Sequence, residues 1–278
     1  MDNLEFWLSL SAWSWEPGVI IIVAAIAGLY AYGFRYYRRQ GQLADLIQQG
    51  AITPLQPWYF GLGLLALLIA LISPIDPLSD QLFSMHMVQH LLLALVAAPL
   101  LLLGTPDPFL SPLINLHPAI KPALAKLVAA PMAFIIFTIS ITAWHIPAFY
   151  EATLKNDFVH ELEHAMFFWA GVISWWPLLS PHRALPRLSY PGQLLYIFIT
   201  AIPTAILGAW FVFTERILYP SYAAVPSLWG MSTLDDQQMG GLIMMVPGKL
   251  IYLLALTIIF FKWFNHTGQP VAQNQPQT

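Results

Sequence analysis

Seven apolar stretches, at residues 18–37, 58–73, 82–103, 127–145, 158–179, 191–213 and 240–263, constrain this chain more than any motif within it. Each is near the ~20 residues with which a helix crosses hydrocarbon, the second being short. In hydrocarbon, backbone N–H and C=O groups have no water to bond, so a spanning segment must satisfy them internally, as a helix does. Composition agrees, since 58% of residues are hydrophobic and 9% charged, against about 25% charged in a soluble domain. The expected fold is an all-α integral membrane protein, a seven-transmembrane-helix bundle with its N-terminus outside. It forms one domain over residues 1–264, and the polar tail at 265–278 is expected to be disordered and cytoplasmic. Aromatic residues such as Trp13, Trp15, Tyr36, Tyr37, Trp58, Trp144, Trp175 and Trp263 mark the stretch ends, as an interfacial belt does. Pro247, inside the seventh stretch, predicts a kink. The first residues lack the basic region of a cleavable signal peptide.

Orientation follows from the basic residues. With the N-terminus outside, the inner segments hold Arg35, Arg38, Arg39, Lys121, Lys126, Arg183, Arg187 and Lys262, and the outer ones only Lys155 and Arg216. That asymmetry obeys the positive-inside rule. The net charge of −3 offers no basic surface for nucleic acid. The absence of cysteine excludes disulfides, thiolate metal sites and thiol catalysis.

Histidines are the unusual residues. His86 and His90 are four apart, as are His160 and His164, and His145 lies between the pairs in sequence. A spacing of four places two side chains on one helix face. In the orientation above, the third and fifth stretches start outside and the fourth ends there, so all five imidazoles share one shallow outer depth. Ionisable groups in a membrane segment are candidates for function because hydrocarbon penalises them. The expected metal ligands are therefore His86, His90, His145, His160 and His164. For His145 a helix-to-helix hydrogen bond is an equal alternative.

Carboxylates and thioethers gather at the same level. Asp157, Glu161, Glu163, Asp235 and Asp236 are candidates to accept an imidazole N–H and orient the ring. Met85, Met87 and Met239 are candidate thioether ligands for Cu(I), which soft donors favour, though most membrane methionines are packing filler. Blander roles are expected elsewhere. His117, His182 and His266 read as solvated, Asp107 as a turn residue and Asp80 as a cap of the third helix. Thr233 with Asp236 reads as a capping box of the seventh, and Gly240–Gly241 as a site of close helix packing.

The segments MHMVQHLLLALVAAPLLLLG, WHIPAFYEATLKND, HELEHAMFFWAG, LYPSYA and DDQQMGGLIMMVPG occur in that order. Together they resemble the CtaG-type cytochrome c oxidase assembly factor family of seven-helix membrane proteins. The resemblance implies a role in producing active haem–copper oxidase, with copper supply as the activity and the five histidines as the carried-over positions. It further implies oxidase subunits and a periplasmic copper donor as partners, a bacterial inner-membrane location, and an assembly factor or metallochaperone rather than an enzyme.

Two other chemistries remain open. HELEH is an instance of H-E-x-x-H, the zinc hydrolase pattern of two histidine ligands and a glutamate base, which makes a zinc-dependent intramembrane hydrolase the alternative, with three histidines holding Zn²⁺ and Glu161 or Glu163 as general base. The pattern here opens a membrane helix, so its context is only partly met. Two stacked haems are excluded, because His86 and His90 are separated by only about 6 Å of helical rise. A single haem would leave the paired spacing unexplained.

Overall fold

Proline opens many of these helices, where its missing N–H costs nothing and its fixed φ suits the first turn. The structure, a computed structural model, describes residues 12–225 and 228–267, and every regular element among them is helical. In chain order these are α1 (Pro17–Arg39), α2 (Leu43–Gln48), α3 (Gln56–Ile72), α4 (Ile75–Ser79), α5 (Phe83–Gly104), α6 (Asp107–Ile114), α7 (Ile120–Leu127), α8 (Ala130–Trp144), α9 (Pro147–Thr153), α10 (Asp157–Leu179), α11 (Tyr190–Phe213), α12 (Pro220–Ala223) and α13 (Thr233–Thr267).

By length and composition, α1, α5, α11 and α13 can each cross a membrane. Helices α7 and α8 meet at a 63° bend and would supply a fifth crossing if taken as one. The fourth stretch is thus not one straight helix. Ala129 is extended just ahead of Pro131, which sits in the first turn of α8. Helix α3 is shorter, at 17 residues. Helix α10 has 23 residues, with Asp157, Glu161 and Glu163 in its first two turns.

The bundle has the burial pattern of a membrane protein. Leu195, Phe198, Ile206 and Phe213 on α11 face outward, as do Leu250, Leu254, Phe261 and Phe264 on α13. Apolar faces of that extent belong against lipid. The interior instead holds polar groups, including His86, Gln89, Glu163 and Gln193. Small residues bring the helices close. A Cβ on Gly241 would fall 2.7 Å from the Gly208 carbonyl of α11, and one on Gly240 would overlap the Phe83 ring of α5. The glycine pair therefore does the packing its sequence suggested.

Helix α13 begins seven residues before the seventh apolar stretch and runs continuously through Pro247 to Thr267. Its polar first turns are helical because each group has a partner. Ser232 Oγ donates to Asp235 and accepts from its N–H, so the capping pair is Ser232–Asp235 rather than Thr233–Asp236. Gln237 accepts from the Leu218 N–H and donates to the Arg216 carbonyl, and Gln238 donates to Thr214. The expected tail at 265–278 loses its first residues to this helix, and residues 268–278 lie outside those described.

Candidate metal centre

The site is built from the first turns of α5 and α10 and the C-terminal end of α8. Asp236 of α13 anchors α5: its carboxylate accepts from the Phe83 N–H at 2.7 Å, from the Ser84 N–H at 3.1 Å and from the Ser84 hydroxyl. These are donors that the first turn of a helix leaves open. Asp236 thus caps the third apolar helix from a distant segment, and the exposed Asp80, expected in that role, does not.

After His90, α5 takes a π-helical turn over Leu92–Ala97. Pro99 has no N–H to return to the carbonyls behind it. The Ala94 carbonyl accepts instead from the Trp175 indole of α10 at 3.1 Å. Gly171 lies against the same point, where a Cβ would come within 2.8 Å of Ala94 Cα and O. This contact sets the register of α10 against α5. One to three turns away along the helices, it brings His160, Glu163 and His164 beside His86 and His90.

Ligand atoms of His86, His160, Glu163 and His164 all lie within 4.8 Å of one another. Glu163 is fully buried, with its carboxylate 3.2 Å from His86 Nε2 and 3.6 Å from His90 Nε2. The two Nε2 atoms of His86 and His90 are 2.8 Å apart. The rings of His160 and His164 are 4.2 Å apart between centroids, and those of His86 and His160 5.1 Å. Donor atoms around a four-coordinate ion at about 2.0 Å lie about 3.3 Å apart, so the cluster needs only a modest contraction to hold one.

Six polar atoms here are buried without a hydrogen-bond partner: Nδ1 of His86 and of His90, Nε2 of His160 and of His164, and both Glu163 carboxylate oxygens. Each unsatisfied imidazole nitrogen costs about 1–3 kcal/mol, and an unpaired buried carboxylate costs several. A cation among His86, His160, Glu163 and His164 would offset much of that cost, and this donor set of imidazole and carboxylate fits a metal ion of intermediate hardness.

His145 stands beside this group. Its Nδ1 donates to the Ile141 carbonyl at 2.7 Å, and its Nε2 lies 3.4 Å from Met87 Sδ. It therefore makes the backbone bond given as its alternative while keeping a second nitrogen free.

Tyrosines close one end of the site. Tyr150 packs on His86 with ring centroids 5.0 Å apart. Its hydroxyl donates to Tyr222 Oη at 2.9 Å, because the Tyr222 hydroxyl itself donates to the Ser79 carbonyl. Tyr219 donates to the His145 carbonyl, and burial pushes the phenols of Tyr219 and Tyr222 above their ordinary range. These tyrosines were not singled out from the sequence, although all sit within the quoted segments WHIPAFYEATLKND and LYPSYA. Gln89, also passed over, is buried between the helices and donates to the Ala70 carbonyl and to Asp76, each at 2.9 Å. Burial pushes the Asp76 carboxyl up to about 6.

Several expected participants stand elsewhere. Glu161 and Asp157 are exposed on α10, because only every third or fourth residue of a helix faces one neighbour. Asp235 is exposed and occupied with Ser232. Met239 is exposed to 44%, and Met85 packs into a separate apolar cluster with Leu78 and Leu82. His117 and His266 are exposed as expected, but His182 is buried. His182 Nδ1 accepts from the Ala184 N–H, and its Nε2 lies 3.2 Å from Ser111 Oγ and 3.7 Å from Asp107. The ring nitrogen facing Ser111 is therefore the protonated one, and this serine–histidine–aspartate group cannot activate the hydroxyl as a nucleophile. Asp107 also accepts from the Arg183 N–H, so it ties two segments together rather than shaping a turn alone.

Residues 28–266 match the family model described as cytochrome c oxidase caa3 assembly factor. The chain belongs to this family. All five clustered histidines and Glu163 lie inside the matched region of the caa3 assembly factor family. Among individual proteins, the chain is 23% identical over 271 residues to an uncharacterized protein of Mycobacterium bovis, covering 91% of this chain and 40% of that one. It is 23% identical over 264 residues to an uncharacterized protein of Mycobacterium leprae, covering 88% and 38%. The chain thus spans about two fifths of the length of these relatives. No solved structure matches it significantly.

Proposed function

We propose that this member of the caa3 assembly factor family is a multi-pass inner-membrane protein with its N-terminus outside. In this reading it takes copper as cargo at the outer histidine–glutamate cluster and supplies it to cytochrome c oxidase. The carrying observation is the set of six orphaned buried atoms on His86, His90, His160, His164 and Glu163. A stable fold leaves so many adjacent buried polar groups unpaired only where something else satisfies them. A site in the outer turns of two helices is placed to receive copper from a periplasmic donor and to pass it sideways to a membrane partner.

The hydrolase reading has less support. Of its two candidate bases, Glu161, the second residue of H-E-x-x-H, is exposed, and Glu163 lies within the donor group itself, where it would be a ligand rather than a base. A haem is disfavoured by packing, since the imidazole rings touch one another and leave no slot for a macrocycle.

The test is metal analysis of the purified full-length protein, beside oxidase activity and copper content in cells. His86→Ala and His164→Ala are expected to lose bound copper and to lower oxidase activity together. Normal oxidase copper in cells carrying either variant would overturn the reading. So would a hydrolytic activity of the unaltered protein that Glu163→Gln abolishes with its metal retained.

A further inference from the structure

The five histidines do not converge on one point. His86, His160, His164 and Glu163 share a centre, and His145 is not among them. Because its Nδ1 donates to the Ile141 carbonyl, the Nε2 of the neutral ring carries a lone pair and no proton. That nitrogen faces Met87 Sδ at 3.4 Å. A thioether sulfur also offers only lone pairs. Two acceptors therefore face each other in a buried place with no hydrogen to join them. Protonating the imidazole would place a charge in a dry interior, which is costlier still.

A soft cation between the two atoms resolves the conflict. With metal–nitrogen and metal–sulfur distances of about 2.0 and 2.3 Å, a 3.4 Å separation corresponds to an angle of about 105° at the metal. Such an angle suits trigonal or tetrahedral coordination. A cavity of about 50 Å³ adjoins the pair and is lined by Met87, His90, His145, Met244, Thr204 and Lys249. His90, only 5% exposed, stands between the two groups. Its Nε2 faces His86 and Glu163, and its Nδ1 is buried without a partner. The Lys249 ammonium, bonded to the Thr204 hydroxyl, lines the same cavity and opposes passage of a cation beyond it.

We propose that the cluster is two metal sites: an outer one of His86, His160, His164 and Glu163, and an inner Cu(I) site of Met87 and His145 completed by His90. This rests on the metal-binding reading above. The carboxylate of the outer set suits a divalent ion, and the thioether of the inner set suits monovalent copper. Cu(I) enters and leaves the inner site as Cu(I), so no electron source is needed.

The experiment uses the full-length protein in detergent, stripped of metal. It is titrated with Cu(I) under reducing, oxygen-free conditions against a competing chelator, and separately with Zn²⁺. X-ray absorption is recorded on the Cu(I)-loaded form. A sulfur neighbour near 2.3 Å is expected, as for other metal–sulfur bonds of about that length. Met87→Leu, which keeps volume, should remove the sulfur neighbour and lower Cu(I) affinity roughly tenfold or more while Zn²⁺ binding is unchanged. His145→Gln should do the same to Cu(I) affinity, and His160→Ala should weaken Zn²⁺ and keep the sulfur neighbour. Metal binding in which all three variants weaken both ions in parallel, or Cu(I) bound without sulfur, would overturn the two-site proposal and leave the broader reading standing. A protein that binds neither ion would remove both.

Discussion

Two glutamates two positions apart carry opposite roles. Glu163 lies among the histidines with neither oxygen hydrogen-bonded, whereas Glu161 faces out. Glu163→Gln removes the negative charge that a bound cation would meet, and Cu²⁺ affinity is expected to fall about 10–100-fold, the range seen when groups supporting a metal are lost. Glu161→Gln should change it by less than about twofold, as expected of an exposed residue on a different face of α10 from the ligand atoms. Competition titration of both variants makes the comparison, and equal losses would mean that the burial of Glu163 is not what matters. From the sequence both glutamates were candidates, because HELEH contains both at helical spacing to a histidine. Only the rotation of α10 in the bundle distinguishes them.

At the level of elements, the register of α10 on α5 rests on the Gly171–Ala94 contact and the Trp175 bond at the π turn. π turns inside α-helices occur often at functional sites, and here the turn begins two residues after His90. Gly171→Leu would drive a side chain into the Ala94 backbone, at an expected cost of about 1–3 kcal/mol. Thermal unfolding in detergent should show a lower midpoint, and metal content should fall with it. Gly61→Leu is the control, since a Cβ on Gly61 meets nothing within 4 Å. An unchanged Gly171→Leu protein would place the register elsewhere. The proline and the glycine were visible in the sequence, but their meeting with a tryptophan 81 residues from the carbonyl it serves was not.

For the whole molecule, the basic residues set the expected direction in the membrane. A periplasm-active reporter fused at the N-terminus should be active, and one fused at the C-terminus inactive, with a cytoplasm-active reporter giving the reverse pattern. The same outcome places the histidine cluster on the periplasmic side. A C-terminal fusion active in the periplasm would put the cluster on the cytoplasmic face and remove the periplasmic copper donor from the proposal.

Much of the molecule was already determined by the sequence alone. Long apolar runs demand internally bonded helices, prolines open many of them, and a spacing of four puts His86 with His90 and His160 with His164. The family was legible too, because its motifs are local strings in a given order. What only the tertiary structure decided depends on contacts between distant residues. It joins Asp236 to the start of α5, turns Glu163 inward and Glu161 outward, and buries His182 against Ser111. It also sets His145 against Met87 rather than among the other imidazoles. Periodicity identifies which residues share a helix face. The direction that face points is set by side-chain and backbone packing across the bundle, where glycines permit close approach and one π turn shifts everything beyond it.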